Sequence, residues 1–194
     1  RAAFFGDLHV HSALSFDAGG YGLQLRTADA LAFAKGAQVT LPPYDSAGKG
    51  TRTAQLDRPL DFVGITEHSE LLGEVSLCMD PDSVGYSTDT CQKYREGNGA
   101  LIFGTFMAST DPKRAEDLCG VDGAACVEAA KTRWAEMRMA TESAYDRTSQ
   151  CTFTAFPSYE YTNTANISNL HRNVIFKNDI VPEQPITYYE AATP

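Results

Sequence analysis

The pattern of apolar and polar positions predicts a strand, a helix and a second strand in the first third of the chain. Phe4 to His11 is typical of a buried strand. Thr27 to Lys35 predicts a short helix, with Thr27 as its cap and a glycine as its stop. Leu60 to Thr66 predicts the next strand. This order of elements indicates a βαβ unit and a parallel sheet, hence an α/β fold.

The rest of the chain predicts two irregular regions, a helix and two strands. Val39 to Gly50 is rich in turn residues and predicts an irregular excursion, and residues 74–122 predict a loop-rich insertion. Ala125 to Tyr145 predicts a helix whose apolar stripe packs against the sheet. Cys151 to Thr162 and His171 to Phe176 predict two further strands.

Composition and charge narrow the class of protein. The chain has 194 residues, of which 43% are hydrophobic and 21% charged, and this is typical of one globular domain. Its formal net charge is −9 and it has no run of lysine or arginine, so we expect no nucleic acid as a partner. No apolar stretch approaches the roughly 18–20 residues that span a bilayer, so we expect no membrane as a partner either. We interpret residues 1–194 as a single domain.

The cysteines bear on the redox compartment. Of five cysteines, Cys78 and Cys91 flank one loop. Cys119 and Cys126 flank a shorter one. Both spacings suit local disulfides, which predict a periplasmic or secreted protein; the alternative is five reduced, buried thiols. Cys151 is the odd cysteine, and we expect it to be buried in a strand.

The chain has four histidines, and each lies at an end or edge of a predicted strand. His9 and His11 are two residues apart on one strand, so their rings leave the same face about 6–7 Å apart. Two imidazoles at this spacing can bind one metal ion or two adjacent ions. His68 follows the second strand, at the edge where parallel α/β proteins gather functional groups, and His171 begins another strand. The alternative is four structural histidines, each bonded to a neighbouring carbonyl or carboxylate.

Several short motifs resemble a known family of metallohydrolases. They are Gly6-Asp7-Leu8-His9-Val10-His11-Ser12, Ser15-Phe16-Asp17, Ile65-Thr66-Glu67-His68, and Ser158-Tyr159-Glu160-Tyr161-Thr162 before His171-Arg172-Asn173-Val174. In order and spacing they are similar to the PHP (polymerase and histidinol phosphatase) superfamily, and more narrowly to its DUF3604 branch. The resemblance covers most of the chain, and residues 74–150 are its least diagnostic part.

The resemblance implies a fold and a set of ligands. The implied fold is a distorted (β/α)7 barrel that holds two or three divalent ions, zinc, manganese or iron, at the carboxyl ends of its strands. Carried over position by position, the implied metal ligands are His9, His11, Asp17, His68, Glu160 and His171, with Glu160 in the bridging position. The family's second motif usually has Asp before His, whereas this chain has Glu67, which we expect to orient His68.

The chain departs from the family pattern after His171. No histidine follows that residue, so the late ligands of the family have no counterpart. The sequence also predicts fewer strands than a closed barrel needs. We therefore expect an incomplete barrel here and interpret the chain as the N-terminal part of a longer protein.

These residues predict a metal-dependent hydrolase that acts on a small anionic substrate, most simply a phosphoester. Glu67, Arg52 and Arg172 are the further catalytic candidates, the arginines because a guanidinium binds phosphate through two hydrogen bonds. Asp7 is predicted to hold the second ring nitrogen of a histidine. The alternatives are an amidohydrolase-like enzyme that cleaves C–N or carboxyl-ester bonds, and a metal-binding module without activity.

Overall fold

The computed structural model describes residues 3–98 and 106–191. Its strands are β1 (Gly6–Val10), β2 (Val39–Tyr44), β3 (Gly50–Ala54), β4 (Phe62–Ile65), β5 (Thr154–Phe156), β6 (Ser158–Asn163) and β7 (Leu170–Ile175). Its helices are α1 (Phe16–Gly20), α2 (Thr27–Ala34), α3 (Leu72–Met79), α4 (Asp89–Lys93), α5 (Glu116–Cys119) and α6 (Ala124–Ala144). A π-helical turn (Tyr94–Asn98) follows α4, and a 3-10 turn (Ala165–Ile167) lies between β6 and β7.

A parallel sheet with the strand order β1-β4-β5 forms the centre of the described fold. β1 pairs with β4 from Gly6, opposite Phe62, to Val10, opposite Ile65. Because α1 and α2 lie between these two parallel strands in the sequence, the predicted βαβ unit is confirmed. Glycine is needed at residue 6, where a Cβ would lie 2.3 Å from the carbonyl oxygen of Phe62.

β1 is shorter and more exposed than the predicted strand from Phe4 to His11. It ends at Val10, and its first four residues are exposed. The prediction of a buried strand is therefore wrong. β1 lies at the edge of the sheet and carries Asp7 and His9, and a strand is buried on both faces only where neighbouring elements cover it.

β6 and β7 form a polar hairpin that extends from the end of β5 towards the histidines. The two strands pair antiparallel, from Ser158 opposite Ile175 to Asn163 opposite Leu170. The single strand predicted from Cys151 to Thr162 is two strands, because Pro157 has no N–H with which to continue the ladder.

Cys151 lies outside both of these strands. It is a free, exposed cysteine with a φ of 45°, so the prediction of a buried strand residue is wrong. The reason is a tight loop before β5, in which the Asp146 carboxylate accepts hydrogen bonds from the backbone N–H groups of Thr148 and Thr152 at 2.9 and 2.8 Å.

The cysteines of residues 74–122 and of α6 are paired as predicted. Disulfides join Cys78 to Cys91 and Cys119 to Cys126. All four lie in one buried apolar cluster that also contains Leu71, Val75 and Tyr94. Around it α3, α4 and α5 form, so the prediction of a loop-rich insertion is wrong for much of this region. Each of these helices has only one or two turns, too few for apolar residues to repeat with a clear helical period.

The long helix predicted from Ala125 to Tyr145 is confirmed as α6. Trp134 is its anchor: the ring is buried against Leu72 and Tyr159, and its Nε1 donates to the carbonyl oxygen of Pro182 at 2.9 Å. The stripe therefore packs inwards, as an amphipathic helix requires.

Two local predictions fail for reasons of backbone chemistry. Val39 to Gly50 is not irregular, because β2 and β3 pair antiparallel, with Val39 opposite Ala54. Prolines are tolerated in this two-stranded hairpin because each strand has a free edge. Thr27 does not cap α2 but is its first residue, and the Asp29 carboxylate accepts the N–H of Arg26 at 2.8 Å instead.

The described strands form one three-stranded and two two-stranded sheets. Within residues 3–98 and 106–191 they do not close into a barrel, so the fold observed is mixed α/β. In the same ranges no helix is long and apolar enough to cross a membrane.

Candidate metal centre

The six predicted metal ligands converge on one cluster. Three overlapping groups place their ligand atoms within 4.8 Å of one another: His9, His11 and Glu160; His11, Asp17 and His68; and His68, Glu160 and His171. The ends of β1 and β4, the start of α1 and the β6–β7 hairpin supply them. An isolated parallel bridge between His68 and Glu160 fixes the hairpin against the segment after β4.

Glu160 lies at the centre of the cluster and is 1% exposed. Its Oε2 is 3.2 Å from His9 Nε2 and 2.9 Å from His11 Nε2. The same oxygen is 3.5 Å from His68 Nδ1, and Oε1 is 2.8 Å from His171 Nδ1. One buried carboxylate therefore faces all four histidines.

Asp17 closes the opposite side of the cluster. Its Oδ1 is 3.2 Å from His11 Nδ1, and its Oδ2 is 3.5 Å from His68 Nε2. Ser15 contacts both histidines: its Oγ is 3.0 Å from the His11 ring nitrogen Nδ1 and accepts the backbone N–H of His68 at 3.0 Å. Sequence reasoning missed Ser15, and its position two residues before Asp17 is the only signal for it.

The charges of the cluster are strongly coupled. Burial lowers the pKa of His11, but hydrogen bonds to Asp17 and Glu160 outweigh this and raise the pKa to about 10. Burial acts to raise the pKa of Asp17, yet the hydrogen bonds with His11 and His68 hold that pKa well below its usual range. The pKa of Glu160 is lowered too, since His11 and the charges of the other rings outweigh burial. The carboxylates are thus held ionised, the form that binds cations.

Glu67 is buried, but it does not orient His68 as predicted. Its Oε2 accepts the backbone N–H of Ser12 at 2.9 Å, and its Oε1 accepts the Ser12 hydroxyl. Burial raises the pKa of Glu67 to about 7, although the bonds from Ser12 act in the opposite direction. Glu67 therefore fixes the backbone next to His11.

The structure places the two predicted arginines away from the ligating atoms. Arg52 donates from Nε to the carbonyl oxygen of Pro42 at 2.6 Å within the β2–β3 hairpin. Arg172 pairs with Tyr161 and is exposed, so it lies on the face of the β6–β7 hairpin opposite Glu160. Asp7 accepts the backbone N–H of His9 at 3.0 Å.

Two polar residues that the sequence did not single out touch the rings. Thr162 Oγ1 is 2.8 Å from His68 Nδ1 and 3.0 Å from His171 Nδ1. Asn169 Oδ1 is 2.5 Å from His171 Nε2. No sequence pattern marks these contacts, because they depend on the pairing of β6 with β7.

The donor set fits a divalent transition metal. Imidazole nitrogens and ionised carboxylate oxygens are the ligands that zinc, manganese and iron use in proteins. A fourth group of possible ligands, Glu74 with Cys119 and Cys126, does not fit: both sulfurs are in a disulfide and Glu74 is paired with Arg114 at 2.7 Å.

Glu70, which is 1% exposed, holds the backbone of β6 next to the cluster, because its carboxyl accepts the backbone N–H of Thr162 at 2.8 Å. Burial raises its pKa from 4.5 to about 8, although the bonds from Thr162 and Ser69 act in the opposite direction. The folded protein therefore binds a proton that the unfolded chain has lost, and the free energy of unfolding falls as the pH rises from about 4.5 to about 8.

We expect Glu70→Gln to remove this fall, on the order of 4 kcal/mol, while the amide oxygen still accepts the Thr162 N–H. Urea unfolding of the metal-free protein at about pH 5 and about pH 8 measures it. Glu128→Gln, the same change at an exposed site, should keep the wild-type slope. Equal slopes for Glu70→Gln and wild type would contradict the prediction.

Together these features define a class: a mixed α/β protein with a histidine–carboxylate cluster suited to divalent ions. A family model, DUF3604, described as a protein of unknown function, matches residues 1–194. The chain belongs to the DUF3604 family. No curated protein and no solved structure matches it.

Proposed function

We propose that this DUF3604 protein is a metal-dependent hydrolase that cleaves phosphoester bonds in a small anionic substrate. The convergence of four histidines and two carboxylates on one cluster is the observation that carries the proposal. His9, His11, Asp17, His68, Glu160 and His171 would hold two or three ions of zinc, manganese or iron. When bound, such ions supply an activated water and neutralise the charge that develops on the phosphoryl oxygens.

The exposure of the ligands indicates where the substrate would approach. The side chain of His9 is 57% exposed and that of Glu160 is 1% exposed. Asp17, at 35%, forms a second accessible rim, while His68 is 6% exposed. Glu160 and His68 would therefore form the floor of the site, with the substrate entering over His9 and Asp17.

The choice of a phosphoester rests on the motifs that resemble the PHP superfamily. We propose that the parallel sheet β1-β4-β5 is part of a PHP-type barrel, with the cluster at the carboxyl ends of its strands. The two disulfides support an oxidising compartment, and we propose a periplasmic or secreted location.

The test combines metal content with a panel of substrates. The protein is freed of metal, reloaded with zinc, manganese or iron, analysed for bound metal, and assayed on p-nitrophenyl phosphate, bis-p-nitrophenyl phosphate, p-nitrophenyl acetate and an anilide. We expect two or more bound ions and turnover of a phosphoester. Turnover of the acetate or anilide alone would favour an amidohydrolase-like enzyme. Bound metal without any turnover would favour a binding module, and a folded protein that takes up no metal would overturn the proposal.

A further inference from the structure

β1 is irregular where it reaches the metal cluster. Asp7 pairs with Val63 and Val10 pairs with Ile65, so β1 takes three steps where β4 takes two. One extra residue in one of two paired strands is a β-bulge. The two residues between Asp7 and Val10 are therefore unpaired with β4, a strand that lies wholly within the described ranges. Bulges change the direction of the side chains beside them and are common next to active sites.

Two side chains hold the peptide bond between these residues, Leu8 and His9. At one end, the backbone N–H of His9 donates to Asp7 Oδ1 at 3.0 Å. At the other end, the carbonyl oxygen of Leu8 accepts a hydrogen bond from Asn173 Nδ2 at 2.8 Å. Backbone groups that leave a strand ladder need other partners, so these two hydrogen bonds stabilise the bulge.

Asn173 also connects the bulge to the centre of the cluster. It lies opposite Glu160 in the pairing of β6 with β7, so both side chains leave the same face of the hairpin. The bond from Asn173 to Leu8 therefore ties the strand of His9 to the hairpin of Glu160. His9 Nε2 lies 3.2 Å from Glu160 Oε2. It lies 3.1 Å from His11 Nε2, although alternate residues of a regular strand are about 6–7 Å apart.

We propose that Asp7 and Asn173 are positioning residues: they hold the Leu8–His9 peptide as a bulge and thereby aim the His9 ring at Glu160. Both act on the backbone and not on a ring nitrogen. The donor and the acceptor of each bond are fixed, since a backbone N–H donates to a carboxylate and a side-chain amide donates to a carbonyl. The arrangement is therefore the same whichever nitrogen of a histidine carries a proton.

The consequence is confined to one of the three candidate ion positions of the cluster. Within the cluster, His9 belongs to the group of His11 and Glu160, and not to the two groups that contain His68. Release of the bulge should therefore weaken the binding of one ion and leave the others in place. This role rests on the proposed function and deepens it, because it names the residues that set that position.

The first test needs neither metal nor substrate. Hydrogen exchange of backbone amides, followed by NMR in the metal-free protein, reports whether the His9 N–H is bonded. We expect it to exchange at least about 5-fold more slowly than in an unfolded chain. Asp7→Ala should remove this protection, and Asp7→Asn, whose amide oxygen still accepts the N–H, should keep it. The N–H of Ala47 donates to Asp45 Oδ1 with the same two-residue spacing, and its exchange should be equal in all variants.

The second test is the number and affinity of bound Zn²⁺ ions, measured by competition with a chromophoric chelator. Asp7 and Asn173 are exposed, so their substitution leaves the core intact. Loss of an outer partner typically costs about 10–100-fold in metal affinity, and we expect a loss of about 10-fold for one ion in Asp7→Ala and in Asn173→Ala. Asp7→Asn should stay within about 3-fold of wild type. Asp45→Ala and Asn178→Ala remove exposed side chains that bond the backbone elsewhere, and they should bind Zn²⁺ as wild type does.

A double variant distinguishes joint action on one peptide from two separate structural roles. If both side chains hold the same peptide, loss of either one releases it. Asp7→Ala/Asn173→Ala should then bind Zn²⁺ within about 3-fold of the weaker single variant. Two independent effects would instead multiply to a loss of about 100-fold.

Four results would overturn the proposal: an unprotected His9 N–H in wild type, wild-type affinity in both single variants, equal losses for the ions of the groups without His9, or multiplied losses in the double variant. Bound metal with the expected losses but without phosphoester turnover would defeat the proposed function alone. Turnover in wild type, with wild-type zinc affinity in Asp7→Ala and Asn173→Ala, would defeat this proposal alone.

Discussion

Glu160→Gln should remove metal binding and hydrolysis together. The substitution keeps the volume of the side chain and one oxygen, but it removes the charge that His9, His11, His68 and His171 all face. Loss of an outer partner costs about 10–100-fold in metal affinity, so loss of the central ligand should cost at least about 100-fold. Elemental analysis after gel filtration and the rate of phosphoester hydrolysis measure the two effects.

Glu142→Gln is the matched control, because it makes the same change at an exposed carboxylate. Glu142 lies in the last turn of α6 and pairs with Arg147, which follows the helix. We expect its metal content and turnover to equal those of wild type. His9→Ala/His11→Ala should behave as Glu160→Gln does. If Glu160→Gln retained both its metal and its turnover, the metal would not bind at this cluster.

The residues of the candidate cluster could be predicted from the sequence, whereas their supporting contacts could not. His9, His11 and His68 are marked by their positions at strand ends, where parallel strands bring side chains together. Ser15 and Thr162 are buried hydroxyls whose partners are 53 and 94 residues away in the chain, in both cases His68. Such contacts follow from the folded arrangement, and a serine or threonine carries no pattern that predicts them.

Helices and strands are predicted correctly where an apolar pattern is long or unmixed. They are predicted wrongly where the neighbouring structure decides burial or pairing. α6 has 21 residues, enough for a stripe to repeat over several turns, and β4 is short but wholly apolar. β1 carries Asp7 and His9 between its apolar residues, and it is exposed at the edge of the sheet. In β2 the pair Pro42-Pro43 indicates a turn, but a two-stranded hairpin has free edges that accept proline.

Arg114→Met should destabilise the protein by about 3–5 kcal/mol, because it leaves a buried carboxylate without its partner. Glu74 is fully buried, and Arg114 Nη1 donates to both of its oxygens at 2.7 and 2.9 Å and to the carbonyl oxygen of Glu70 at 3.1 Å. The guanidinium also stacks on Tyr189 at 4.2 Å, so the methionine keeps part of the apolar contact but none of the charge.

The pH dependence and a double variant separate the charge from the packing. Burial raises the pKa of Glu74 against the opposing charge of Arg114, so in Arg114→Met the pKa should rise further. When the pKa of a carboxyl is higher in the folded protein than in the unfolded chain, the free energy of unfolding falls as the pH rises. The loss of stability in Arg114→Met should therefore grow from acid towards neutral pH.

Glu74→Leu/Arg114→Met should recover most of the loss, since an apolar pair replaces a buried ion pair at little cost. Urea unfolding across this pH range measures all three proteins, with Arg147→Met as the exposed control. A deficit that is independent of pH and persists in the double variant would mean that Arg114 acts through packing on Tyr189.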